Sequence, residues 1–382
     1  MGNRTVEQIR VLALAGVLGA AGAARGQSDF ATAVLEYRPA PGQFVQNPLY
    51  NDPTRALGPP VGGGTVTQDN TKVVSLGGFG GSITLAFDHT VMDDPRNPFG
   101  MDAIVFGNAI WAGGDPTRRF AEAAIIEISR DVNGNGIPDD PWYVIPGTHI
   151  GKTVPPAHQA TVQFWDDDFD DPTYPPMNPL WLPVGLAGQW STEAILLPPE
   201  VFNGPVVVNP LGPDSTLEGV YGYADVSPTL ILGDTDGDNI VDDPFATPEM
   251  FYTRPDDPYT VGITPGSGGG DAFDIAWAVV PETGEPAGLD GFDFIRITNG
   301  VNRVNGILGE ISPEISGVAD VRPVLSDFNA DGRVNSADIS AFLAAWLAAL
   351  GTGYDPAVDF SGDGQITSAD ISAFLAAWLM GR

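Results

Sequence analysis

The chain has 382 residues and sets 49 Asp and Glu against 17 Lys and Arg, for a formal net charge of −32. That balance excludes nucleic acid and an anionic membrane surface as ligands, and makes cations the natural counterpart. With no cysteine, stability must come from core size, bound metal or both, while 48 Gly and 35 Pro argue for many turns between short strands.

Residues 1–26 have the form of a signal peptide. Arg4 and Arg10 supply a charged region, Val11 to Ala24 an apolar region, and Ala24-Arg25-Gly26 a small-residue cleavage site before Gln27. The apolar run is too short to remain as a membrane helix, and no later stretch reaches spanning length. A secreted or cell-surface protein without a transmembrane segment is expected.

From Phe30 to about Val321 the text reads as β structure. Ser82 to Phe87 alternates strictly, with Ile83, Leu85 and Phe87 on one face. Asp102–Phe106, Ala124–Ser129, Trp142–Ile145, Val206–Val208 and Phe292–Thr298 are further strand candidates, separated by Gly/Pro/Asp clusters. The expected fold is mainly β, an antiparallel sandwich with long loops.

Ala56-Leu57-Gly58-Pro59-Pro60, Val74 to Asp88, and Met101 to Phe106 resemble the start of bacterial secreted proteins with a galactose-binding-like, discoidin-type jelly roll. Phe292 to Thr298 and Gly309 to Val321 resemble its closing strands. The resemblance implies a jelly-roll-like β-sandwich over 27–322, with about 149–286 as an insertion or a set of long loops. Gly77 to Gly81 reads as a tight turn, since no helix follows to complete a phosphate cradle.

Two acidic loops lie in this region. Asp131, Asn133, Asn135, Asp139 and Asp140 share one spacing of oxygen side chains with Asp234, Asp236, Asp238, Asp242 and Asp243. They resemble the Asp-rich repeats of thrombospondin type 3 segments, which implies calcium. The competing reading is an Asx-turn hairpin that needs no ion. Asp166 to Asp168 with Asp170 and Asp171 reads as a solvated charge run.

Catalytic signals are weak. His89, His149 and His158 have no metal-ligand spacing, and neither a cysteine nucleophile nor a Gly-x-Ser-x-Gly elbow exists. A glycosidase needs only two suitably spaced carboxylates, but Glu122, Glu127 and Glu193 read as edge or loop carboxylates and no pair stands out. Trp111, Trp165, Trp181 and Trp190 fall in Gly/Pro-rich loops, where an indole either stacks on a sugar or closes the rim of the core. Trp142 and Trp277 read as core residues.

The tail repeats itself. Asp327, Asn329, Asp331, Arg333, Asn335 and Asp338 return as Asp359, Ser361, Asp363, Gln365, Thr367 and Asp370. These are positions 1, 3, 5, 7, 9 and 12 of an EF-hand loop, in which position 7 offers its backbone carbonyl and position 6, here Gly332 and Gly364, makes the sharp turn. Calcium is the expected ion. After each loop comes Ser-Ala-Asp-Ile-Ser-Ala-Phe-Leu-Ala-Ala-Trp-Leu, at 336–347 and 368–379. Its apolar residues (Ile339, Phe342, Leu343, Trp346, Leu347) fall on one helical face, and Phe342, Trp346, Phe374 and Trp378 form a small shared core. So short a module depends on its ions for part of its stability.

Residues 325–382 resemble a dockerin domain, which pairs two such loop-helix units and binds a cohesin on a scaffold or cell surface. The partner contacts carried over fall at loop positions 10 and 11, Ser336-Ala337 and Ser368-Ala369. Here the sequence departs from the family's Ser-Thr-like pair, and neither helix has a Lys or Arg before Arg382. The leading expectation is an exported, calcium-binding, non-catalytic protein. In it a ligand-binding sandwich, with carbohydrate as one ligand class, is attached through a dockerin-like tail at 323–382. A dockerin-bearing O-glycosyl hydrolase of polysaccharide breakdown and a purely structural envelope protein are the alternatives.

Overall fold

The computed structural model describes residues 27–116, 118–148, 161–164, 189–197, 206–208, 220–259, 263–302, 304–305, 309–329 and 334–380. The leader-like segment 1–26, the acidic run at 166–171, Trp165, Trp181, His149 and His158 lie outside the described residues. The chain divides into two compact units. One runs up to Asp93 and from Asp102 to Val321, and the other comprises Asp94–Met101 and the chain from Arg322.

The first unit is built of antiparallel β-strands. They are β1 (Ala33–Arg38), β2 (Val74–Ser75), β3 (Ser82–Met92), β4 (Ala103–Phe106), β5 (Ala124–Ser129), β6 (Trp142–Ile145), β7 (Tyr223–Ala224), β8 (Asp271–Phe273), β9 (Gly291–Asn299), β10 (Glu314–Ile315) and β11 (Gly317–Asp320), with further short strands between them. The main sheet runs β1-β3-β9-β5-β7, and β6 also pairs with β5. A second sheet runs β8-β4-β11, and β10 pairs with β2. β7 and β8 both arise within 149–286, so this segment is woven into the sheets where it is described.

Alternation explains the main sheet. Ile83, Ile297 and Ile126 lie side by side on three strands, as do Leu85, Ile295 and Ile128, and all six are fully buried. β-branched and leucine side chains in such rows pack well on a pleated surface. The opposite face carries the intervening row, Thr84, Arg296 and Glu127. There Arg296 donates from Nε and Nη2 to Glu127 at 2.7 and 2.9 Å, while its guanidinium sits 4.3 Å from the centroid of the Trp142 ring. Glu127 is therefore a buried, paired carboxylate of a central strand, not an edge one.

The indoles also differ from expectation. Trp142 and Trp277 are half-buried at the rim of the core rather than inside it. Trp111 and Trp190 stand on the short strands Ile110–Trp111 and Gln189–Thr192, not in open loops. Trp190 donates its ring N–H to the Phe79 carbonyl at 3.1 Å, and that bond holds its ring at the surface of the sheet.

The second unit contains α1 (Ser336–Thr352) and α2 (Ser368–Met380). Asn335 caps α1: its side chain accepts from Ala337 N, and Asp338 at the third helical position reaches back to Asn335 N. Phe342 and Phe374 stack at 4.1 Å with planes 5° apart and are fully buried, as the repeat implies. Leu347 and Leu379 are not part of this core; they are 62 % and 77 % exposed, because two thin helices cover only the narrower stripe centred on the phenylalanines. Among the described residues no helix is long and apolar enough to cross a membrane.

Arg296→Ala leaves the Glu127 carboxylate buried without its partner and should cost about 3 kcal/mol of stability. A double Glu127→Leu, Arg296→Leu variant should recover most of that loss. Denaturant midpoints of the three proteins check both statements; equal midpoints for the single variant and the parent would contradict the pairing.

Candidate metal centres

The second tail loop is formed by its own side chains. Asp359 at position 1 accepts from Asp363 N (3.1 Å) and Gly364 N (2.7 Å), which folds the first half of the loop around one carboxylate. Gly364 takes φ +77°, a conformation that a side chain would strain. Asp370 at position 12 closes the loop, accepting from Ser361 N at 3.0 Å and Thr367 N at 2.7 Å. Asp363 accepts from Gln365 N at 2.8 Å.

The first tail loop repeats the closure. Asp338 accepts from Asn329 N at 3.2 Å and Asn335 N at 2.7 Å. Asp331 and Arg333, the expected ligands at positions 5 and 7, lie outside the described residues; Asp327 and Asn329 are described. Each helix also ties down the other unit's loop. Trp346 donates its indole N–H to Thr367 O at 2.9 Å, and Trp378 donates to Asn335 O at 2.8 Å. Both acceptors stand at loop position 9. Ser336, Ala337, Ser368 and Ala369 are exposed at the starts of the two helices.

The two loops of the β unit are held in related ways. Asp131 accepts from Asn135 N (3.0 Å) and Gly136 N (2.8 Å), the same one-to-five and one-to-six bonds that Asp359 makes. Asn133 and Asn135 donate their side-chain amides to Asp139 at 3.1–3.2 Å, and Asp140 accepts from Val132 N. In the other loop, carboxylate oxygens of Asp234, Asp236 and Asp238 all lie within 4.8 Å of one another. Asn239 takes φ +69° where the tail loops have glycine. One Asp242 oxygen accepts from Thr235 N and Oγ1, and one Asp243 oxygen from Phe245 N.

Other charged groups escape a reading by spacing. Glu122, Asp225 and Glu314 are buried together; Glu122 is a loop carboxylate, standing just before β5. Burial, with Asp225 beside it, pushes Glu122 up to about 8, and burial pushes Asp225 up to about 7. Glu193, by contrast, is exposed.

A shallow recess is lined by Arg119, Tyr221, Ser227, Asp256, Asp257 and Asp271, among others. Arg119 donates from Nη1 to Val226 O and Ser227 Oγ, each at 2.9 Å, and its buried Nε has no hydrogen-bond partner. Burial pushes Asp271 up to about 7 and Asp256 up to about 6. Tyr221 is the aromatic residue of the lining, and behind it the ring meets Tyr259 at 5.1 Å and Trp277 at 5.3 Å.

With this geometry in view, residues 325–375 match the family model of the dockerin type I domain. Dockerin type I domains bind calcium and bind the cohesins of scaffold proteins, and they occur typically in extracellular assemblies. Calcium is thus the cofactor of the segment that matches the family. No curated protein matches the chain.

Asp359→Ala should remove one bound calcium per chain, read by native mass spectrometry. Trp346→Phe keeps every ligand but frees the Thr367 carbonyl, and should weaken calcium binding about tenfold, as loss of an outer support does; an unchanged affinity would contradict the clamp. In calcium-free protein the buried carboxylates also set a pH slope. Their folded values lie above the ordinary ones, so between about pH 4 and about pH 8 the unfolded chain binds fewer protons, and stability falls as pH rises. Denaturant midpoints of the β unit across that range should decline; a rising midpoint would contradict the burial.

Proposed function

We propose that the chain is an exported, non-catalytic calcium-binding protein whose tail docks on a cohesin of a scaffold or cell surface and whose β unit, read as a jelly-roll-like sandwich, presents a ligand site. The dockerin match at 325–375 carries this reading. Export is supported by the charged and apolar leader pattern of residues 1–26. The acidic loops at 131–140 and 234–243 bind calcium in this reading and brace the loops of the β unit.

Carbohydrate is the ligand class that fits the recess best. Its Tyr221, backed by Tyr259 and Trp277, suits the apolar face of a sugar ring, and Arg119, Ser227 and Asp257 offer donors and acceptors to hydroxyls. The hydrolase alternative needs two carboxylates free to face a glycosidic oxygen. Asp256 accepts from Asp257 N and Thr264 N, and Asp271 from Val226 N at 2.9 Å. Both carboxylates thus hold backbone together, which favours binding over catalysis.

The docking half is tested by immobilising the full chain and presenting a panel of type I cohesins with calcium or chelator. Binding to at least one cohesin, lost in chelator, is expected; calcium-saturated protein that binds none would overturn it. The exposed pairs Ser336-Ala337 and Ser368-Ala369 set the specificity, so Ala337→Thr with Ala369→Thr should change which cohesins bind. The ligand half is tested on a glycan array, where a Tyr221→Ala, Trp277→Ala variant should lose the parent's binding. An array blank for the parent would contradict it.

A further inference from the structure

Three carboxylates from distant parts of the chain meet inside the β unit. Glu122 precedes β5, Asp225 follows β7 and Glu314 opens β10; one oxygen of each lies within 4.8 Å of the other two. The three residues are 7 %, 1 % and 2 % exposed. Glu314 feels the charges of both Glu122 and Asp225, and Glu122 that of Asp225.

Neutral donors answer part of the charge. Glu122 Oε1 accepts from Gln43 Nε2 at 3.1 Å and Ser312 N at 3.3 Å. Asp225 accepts from Asn108 N, Ala109 N and Glu314 N at 2.9–3.0 Å. The Glu314 side chain meets Glu122 and Ser75, while its Oε1 receives no hydrogen bond from any donor. A carboxylate oxygen buried without a donor costs heavily unless a cation or proton meets it. The backbone is shaped to hold the group as well: Asp225 sits at φ +58°, and a Cβ at Gly107 would collide with the Asp225 carboxylate.

We propose that Glu122, Asp225 and Glu314 form a buried calcium site, separate from the acidic loops. Every donor is a hard oxygen, and 4.8 Å is about twice a calcium–oxygen bond of ~2.4 Å, so one ion can touch all three. The open Glu314 Oε1 supplies a lone pair that nothing in the protein uses. Magnesium retains several waters, whereas calcium accepts an irregular, dehydrated set, which suits carboxylates this deeply buried. The ion would join three segments that no local loop connects: the approach to β5, the exit from β7 and the start of β10. The rival is a proton shared between Glu122 and Glu314, as in close carboxylate pairs.

Crystals of the full chain grown in calcium and soaked in terbium separate the two. The expected result is an anomalous peak bonded to oxygens of Glu122, Asp225 and Glu314, beside those in the tail loops. Filled tail loops with no peak at the three carboxylates would overturn the proposal. Native mass spectrometry gives a second reading: Glu314→Gln should lose one calcium per chain, and Glu314→Gln with Asp359→Ala should lose two. A folded Glu314→Gln protein with the parent's full calcium count would also overturn it, and the crystal of the parent decides even where the variant does not fold.

Discussion

Negative charge gathered into a few tight places, with little Lys or Arg to answer it, is the constraint on which the structure depends. A chain at −32 repels itself, and carboxylates a few ångströms apart repel most strongly. The tail meets this constraint by geometry. Asp359 at position 1 of the second loop and the position-12 carboxylates Asp338 and Asp370 of both loops are held by backbone N–H groups. Calcium then supplies the charge that the sequence withholds. Because such loops do not exist in the unfolded chain, ion binding and folding free energy are the same quantity there.

The two loop-helix units complete each other. Phe342 and Phe374 make the stacked centre, and the indoles cross over, Trp346 to the second loop and Trp378 to the first. Neither loop is therefore held by its own helix alone. An ion lost from one loop frees an indole anchored on it and loosens the opposite helix, so the two sites act on one packed core. The β unit follows another rule: its sheet is stabilised by rows of Ile and Leu, and its charges are either paired, as Glu127 is with Arg296, or gathered, as at Glu122, Asp225 and Glu314.

What could be read from the sequence was local. The alternation of Ile83 and Leu85 foretold a buried sheet face, and the spacing Asp359-x-Ser361-x-Asp363-Gly364 foretold a loop, because each is a pattern within a dozen residues. Long-range partners left no such trace. Glu127 looked like an edge carboxylate because Arg296, its neighbour across the ladder, is far away in sequence. Glu122, Asp225 and Glu314 share no spacing at all, and only the strand order brings them together. Leu347 misled in the opposite way: its helical period matched the core, yet the partner helix is too narrow to cover it.

Hydrogen exchange of the full chain, followed by mass spectrometry with calcium and then with chelator, tests the central claim most directly. The account predicts strong protection of α1 and α2 in calcium and its collapse on chelation, while β3, β5 and β9 keep theirs. Equal protection of both helices in the two conditions would contradict it, and would mean that the phenylalanine core folds the tail without an ion.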